Sequence, residues 1–310
     1  VGGYTNTAAT DSVETWDGSS WTEVAEINSA KYNMGVSGGS PASLSYGGRT
    51  APAITAQTES WDGSSWTEVA DLSTGRWGLG KSPYGTSLSA LAVGGNTGSA
   101  VTSTEEWTTT PAATFTQINL GQVYFNSTSN AFKVTKNVLG TGAWSSGGNL
   151  NQARSQGGNN ASGGSASIGL VSGGQSYSPG ISYNNTEIYN GTAWTEVNNI
   201  TSTRGYSTGA GTPAGALVVS GTMAPSPGPA GPRANVESFD GTNWTEVNDV
   251  NVGRTQGAGA GTQTSAIFVG GEGGSPWNDN KNKTELWDGS SWTEVNNLND
   301  GRTLIGGGGL

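Results

Sequence analysis

A nine-residue segment, Trp16-Asp17-Gly18-Ser19-Ser20-Trp21-Thr22-Glu23-Val24, recurs almost verbatim from Trp61 to Val69 and from Trp287 to Val295. Looser copies run from Tyr189 to Val197 and from Phe239 to Val247. Repetition of this kind divides a chain into supersecondary units that bury their apolar faces only against their neighbours. Each copy follows a Thr-Glu or Val-Glu pair, as at Val13-Glu14, Thr58-Glu59, Thr186-Glu187, Val236-Glu237 and Thr284-Glu285. A basic residue comes after each copy, at Lys31, Arg76, Arg204, Arg254 and Arg302, then a Gly-rich stretch and an apolar run ending in a small pair.

Each repeat reads as four short strands. The Gly-rich stretch after the basic residue suits an inner strand crowded about an axis, where side chains have no room. An apolar run such as Ile267-Phe268-Val269-Gly270-Gly271 suits a strand buried on both faces. Thr284-Glu285-Leu286-Trp287 alternates like a half-buried strand, and Asp288-Gly289-Ser290-Ser291 is turn chemistry. Trp292-Thr293-Glu294-Val295 then forms the outer strand. Repeats of this length and strand count predict an all-β propeller of four-stranded antiparallel blades occupying residues 1–310 as one domain.

The second Trp of the motif stands at positions 21, 66, 144, 194, 244 and 292, so one interval, from 66 to 144, is far longer than the rest. Residues 108–150 therefore hold either a diverged blade or an insertion. An alternating pair, Gln122 to Phe125 and Ala131 to Thr135, could join the strand at Trp144 in an abbreviated blade, and Phe115 to Ile118 could be a degraded outer strand. The spacing favours seven blades, with six blades plus an insertion as the alternative. Val1-Gly2-Gly3 reads as the end of a second strand and Arg302 to Gly306 as a first strand, so joining the termini would close the ring and remove exposed sheet edges. The opening residues read as a cut into a longer chain.

Composition narrows the chemistry. Histidine and cysteine are both absent from the 310 residues, which removes the commonest general base, the commonest transition-metal ligand and any thiol nucleophile. The net charge is −10 with only 13 scattered Lys and Arg, which argues against nucleic acid as a partner. No apolar run approaches the ~20 residues that span a bilayer, so no membrane insertion is expected. No cofactor, metal site or catalytic residue is expected.

The Arg-Gly-rich strand, the apolar strand ending in Gly-Gly and the paired aromatics resemble Kelch repeats. More narrowly, the nine-residue motif is followed by linkers such as Asp71-Leu72-Ser73-Thr74-Gly75-Arg76 and Asn297-Leu298-Asn299-Asp300-Gly301-Arg302. That combination is similar to the Kelch-like repeats of bacteriophage virion proteins, notably tail fibres. The segments Gly121 to Ser129 and Trp144 to Asn151 resemble spacers in such fibres. The resemblance implies a virion-attached, extracellular module that recognises a host-surface glycan or protein and performs no chemistry. A purely structural virion propeller contacting other virion subunits is the alternative, and a glycan-cleaving enzyme is a distant third.

The repeated carboxylates Glu23, Glu68, Glu196, Glu246 and Glu294 occupy one structural position in five copies, whereas a catalytic pair must be unique and convergent. Their repetition marks them as structural. The same reasoning assigns Trp21, Trp66, Trp144, Trp194, Trp244 and Trp292 to the repeat core, and pairs the recurrent Arg76, Arg154, Arg204, Arg254 and Arg302 with neighbouring Glu residues. What differs between repeats is the link from second to third strand. By strand alternation these links emerge on one face, carrying Tyr4, Arg49, Tyr177, Tyr183, Arg233 and Trp277 as candidate ligand-binding residues. Trp277 is either a stacking platform for a sugar, or a residue that covers its own loop or touches a neighbouring subunit.

Overall fold

The structure is a computed structural model that describes every residue except 6, 81–84, 110–122, 127–130, 135–141, 156–164, 177–179, 224–231, 274–280 and 310. Among the described residues the regular elements are β-strands, and their pairings are antiparallel. The fold is an all-β propeller. Three sheets are four-stranded, built from Gly35–Gly39, Ala42–Tyr46, Thr58–Trp61 and Trp66–Val69, from Thr208–Thr212, Gly215–Val219, Val236–Phe239 and Trp244–Val247, and from Ala258–Gly261, Ala266–Val269, Thr284–Trp287 and Trp292–Val295. Two more are three-stranded: Ser89–Val93, Thr104–Thr109 and Gly142–Ser146, then Gly169–Ser172, Thr186–Tyr189 and Trp194–Val197. The remaining motif copy pairs Val13–Trp16 with Trp21–Val24.

The termini pair with each other. The Val1 ammonium donates to the Gly306 carbonyl at 3.0 Å, the Gly306 N–H donates back to Val1 at 3.1 Å, and Tyr4 and Thr303 exchange backbone bonds at 2.8 and 3.0 Å.

Among the described residues the strand at Trp144 does not build the expected seventh blade. Gly142–Ser146, which carries Trp144, pairs with Thr104–Thr109 and is the outer strand of that sheet. Among the described residues Val123–Asn126 and Ala131–Val134 pair only with one another, as a separate two-stranded sheet. The aromatic register explains why. In the third-to-outer strand pairs two rings face each other: Trp16 and Trp21, Trp61 and Trp66, Tyr189 and Trp194, Phe239 and Trp244, Trp287 and Trp292, with centroids 4.9–5.4 Å apart. Trp107 and Trp144 meet in the same way at 5.4 Å although a long segment replaces the four-residue turn. Cross-strand aromatic pairing therefore keeps the register that the Asp-Gly turn sets elsewhere. The degraded strand expected at Phe115 to Ile118 lies outside the described residues.

Apolar side chains collect between consecutive sheets. Leu217, Val219, Val236, Phe268 and Trp292 form one such cluster; Leu91, Val93, Val171, Tyr189 and Trp194 form another. A further cluster joins Ala258 and Val269 to Ile305, with Trp21 packed against it, across the chain termini. Four of the outer Trp residues also reach back to the neighbouring sheet with the indole N–H. Trp144 donates to the Thr58 hydroxyl, Trp194 to Thr104, Trp244 to Thr186 and Trp21 to Thr284, at 3.0–3.1 Å. Where the repeat has Val in place of that Thr, the bond is lost. Trp66, opposite Val13, turns to the Ala25 carbonyl. The buried indole N–H of Trp292, packed with Val236, has no partner among the described residues.

Near the axis the chain is held by a second repeated device. Asn33, Gly78, Tyr206, Gln256 and Leu304 each stand two positions after the basic residue and adopt left-handed backbone, with φ between 53° and 65°. Gln256 N–H donates to the Tyr206 carbonyl, Leu304 to Gln256, Asn33 to Leu304 and Gly78 to Asn33, at 2.8–3.0 Å. Left-handed backbone costs a non-glycine residue about 1–2 kcal/mol. The chain of bonds from blade to blade holds four such residues in it.

A buried donor left unsatisfied costs about 1–3 kcal/mol, and Val and Thr are nearly isosteric. Val236→Thr is therefore expected to stabilise the protein by roughly 1 kcal/mol by giving Trp292 an acceptor, read as a rise in the denaturation midpoint. An unchanged or lower midpoint would contradict this account of the outer Trp.

Candidate functional site

The basic residue that opens each blade is part of the scaffold. Arg76, Arg154, Arg204, Arg254 and Arg302 are buried, and each forms an ion pair with the Glu of its own blade's third strand: Glu105, Glu187, Glu237, Glu285 and Glu14. One guanidinium nitrogen of each also bonds the carbonyls that end the second strand and precede the third, as Arg254 does with Gly270 and Lys283 at 2.7 and 2.8 Å. Burial pulls the guanidinium pKa of Arg76, Arg154, Arg204 and Arg254 below the ordinary value, opposed by the facing carboxylate. Lys31 takes this place in one blade, 3.2 Å from Glu59, and burial likewise lowers its pKa. A ring of cations available to an anionic ligand is not what these residues form.

The third-strand Glu uses its second oxygen to hold the linker arriving from the preceding blade. Glu59 accepts the backbone N–H of Asn28, Glu105 that of Ser73, Glu187 that of Asn151, Glu237 that of Thr201, Glu285 that of Asn251 and Glu14 that of Asn299, at 2.7–3.0 Å. The outward carboxylates Glu23, Glu68, Glu196, Glu246 and Glu294 are exposed on separate outer strands, and three of them bond residues of their own blade: Asn185 to Glu196, Asn235 to Glu246, Lys283 to Glu294. Among the described residues no group of three or more Asp or Glu is placed to hold a metal ion, and no helix is long and apolar enough to cross a membrane.

The link from second to third strand meets the start of the first strand through an antiparallel bridge in every blade. The partners are Tyr32 and Arg49, Trp77 and Asn96, Ser155 and Gln175, Gly205 and Thr222, Thr255 and Glu272, Thr303 and Tyr4. The links and the first-strand starts therefore share one end of the propeller. There the structure brings two of the six sequence-derived candidates into one patch. The Tyr4 ring lies 5.1 Å from the ring of Tyr32, Tyr32 is bridged to Arg49, and the Arg49 guanidinium lies 5.0 Å from the Trp77 ring centroid.

Tyr183 is half-buried on another link, its N–H bonded to Gly174 at 2.7 Å, and Arg233 is exposed on a third, its N–H bonded to Gly221 at 2.8 Å. Tyr177 and Trp277 lie outside the described residues. Sequence reading misses Tyr32 and Trp77 as members of the patch. The available signal is their position, directly after Lys31 and Arg76, where the chain reaches the same end as the links. Trp77 is buried beneath Arg49, so the accessible parts of the patch are Tyr4, Tyr32 and Arg49.

The fold resembles that of 175 solved chains. One of them, described as "Structure of YjhT", superposes with a TM-score of 0.61 over 91% of this chain and 88% of that one, at 12% identity. A likeness at that identity extends to the fold alone, and one propeller fold carries many unrelated functions. No known family profile and no curated protein matches the sequence.

The Asp-Gly turns are structural too. Asp62 accepts from the backbone N–H groups of Ser64 and Ser65, Asp288 from those of Ser290 and Ser291, and these turns are exposed. The bonds hold both carboxyls down to about 2, led by the Ser65 N–H for Asp62 and the Ser290 hydroxyl for Asp288. A carboxyl whose folded pKa lies below its unfolded value of 3.8 stabilises fully above that value and loses the effect as pH falls toward about 2. Asn190 makes the same turn through its amide oxygen without titrating. The melting temperature is therefore expected to fall between about pH 4 and pH 2, and less steeply in an Asp62→Asn, Asp288→Asn double variant. Identical slopes for the two proteins would show that the turns do not contribute.

Proposed function

We propose that this chain is a non-enzymatic recognition module of a phage virion, of the tail-fibre kind, which binds a host-surface glycan or protein through the inter-strand links at one end of the propeller. The observation that carries the reading is the division of labour between repeats. The buried carboxylates, arginines and tryptophans that recur are consumed in the scaffold, while the six links gathered at one end differ from blade to blade and present Tyr4, Arg49, Tyr183 and Arg233, with Tyr32 beside them at a first-strand start. Aromatic rings beside polar groups suit sugar and protein surfaces alike. The Kelch-like and phage assignments rest on the repeat wording, and a virion or extracellular location follows from them. We also infer a ring of six blades with an insertion, supported by six inter-sheet apolar clusters of which one spans the termini.

A second reading, a structural propeller that contacts other virion subunits, is favoured by one observation: Phe125, on the hairpin outside the blades, is 52% exposed. A glycan-array screen of the parent beside Tyr183→Ala and Trp277→Ala separates the two. Binding by the parent that either variant weakens supports recognition through the links. Silence from all three on glycans and on host surface protein removes this reading in favour of subunit contact, which the oligomeric state then tests.

A further inference from the structure

Where a scaffold repeats, positions at which the residue changes from blade to blade are the ones the repeat does not dictate. The link residue that bridges the start of the first strand is Arg49, Asn96, Gln175, Thr222, Glu272 or Tyr4. Glu272 is the one carboxylate among these six. It is half-buried, and burial raises its carboxyl above the ordinary range, opposed by Lys281 and by a hydrogen bond from Gln256 Nε2 at 3.1 Å.

Glu272 borders a recess of about 330 Å³ between its own blade and the paired termini, with Tyr4, Thr5, Gln256, Lys281 and Leu304 around it. A cavity of this size lies at the small end of ligand sites and suits one compact molecule. Its walls bring together an acceptor, an ammonium donor, an amide offering both, and the apolar surfaces of Tyr4 and Leu304. An ionised carboxylate has about four acceptor positions, and among the described residues the Gln256 side chain donates to one oxygen of Glu272.

We propose that this recess binds a single neutral sugar ring, with Glu272 accepting hydrogen bonds from adjacent ring hydroxyls, Lys281 donating to a third oxygen and Tyr4 forming the apolar wall. The proposal rests on the glycan reading above and gives it a subsite. A neutral ligand is specified because Glu272 and a net charge of −10 both repel an anionic one. Hydrogen bonds to an ionised acceptor are about twice as strong as neutral ones, so removal of the charge has a measurable effect on affinity.

The test is saturation-transfer NMR on the full 310-residue chain with glucose, galactose, mannose and N-acetylglucosamine, and with glucuronate as the anionic comparison, for the parent, Glu272→Gln and Lys281→Met. The expected result is a signal from at least one neutral sugar, an affinity reduced roughly tenfold or more in Glu272→Gln, a smaller loss in Lys281→Met, and no signal from glucuronate. Thermal melts matching the parent show that the variants are folded. Neutral-sugar binding that Glu272→Gln leaves unchanged, or preference for glucuronate, overturns the proposal. Array binding that Tyr183→Ala abolishes and Glu272→Gln retains also overturns it while leaving the wider reading intact. A Glu272-dependent sugar signal with a silent array upholds the recess and removes the surface-glycan reading. No signal from any sugar overturns the subsite.

Discussion

The buried carboxylate at the second position of each third strand is the contact on which the propeller depends. One oxygen neutralises the basic residue that opens the blade, and the other takes the N–H of the linker from the blade before. Through the guanidinium the same carboxylate reaches the carbonyls at both ends of the second-to-third link. First strand, third strand and incoming linker are thus tied at one point, in low-dielectric surroundings where an unpaired charge is costly. A chain with only 32% hydrophobic residues and 52 glycines has few large side chains with which to define blade boundaries. Directional polar contacts supply that definition. In the blade closed by the termini, Glu14 pairs with Arg302 and accepts from Asn299, so the same contact joins the two ends of the sequence.

Departures from the repeat show which constraints are strict. Lys31 replaces Arg and keeps the charge, but its single head group makes none of the paired carbonyl bonds, in line with the difference between an ammonium and a planar fork. Val236 replaces Thr and strands an indole N–H, which the packing around Trp292 tolerates. Tyr189 stands where four blades have Trp; its hydroxyl donates to Glu106 of the preceding blade and accepts the Gly148 N–H. The charge pair survives in the first case, a bond is lost in the second, and a polar contact between blades is kept in the third. The aromatic cross-strand pair is kept throughout, even across the long segment between Trp107 and Trp144.

Much of this was legible in the sequence, because repetition exposes structural roles. The nine-residue motif identifies third strand, turn and outer strand, and the recurrent Glu and Arg announce an ion pair before any coordinates. The partner of the Trp144 strand was not legible where turn chemistry is missing. Thr109 and Gly142 are paired neighbours in the sheet but far apart in sequence, and no local rule connects them. The candidate site was partly legible. Strand alternation places Tyr4 and Arg49 at one end, but the stacking of Tyr4 against Tyr32 depends on how adjacent blades pack. The meeting of Glu272 and Gln256 with Tyr4 depends on ring closure, which brings the two ends of the chain together.

The clamp is tested most directly by equilibrium denaturation of Glu237→Gln. Glu237 is fully buried against Arg204, so the neutral side chain leaves a buried guanidinium uncompensated while nearly preserving shape. Loss of one partner of such a pair costs about 3–5 kcal/mol, and the denaturation midpoint is predicted to fall accordingly with the fold retained. A variant as stable as the parent would show that the carboxylate is not what holds blade and linker together.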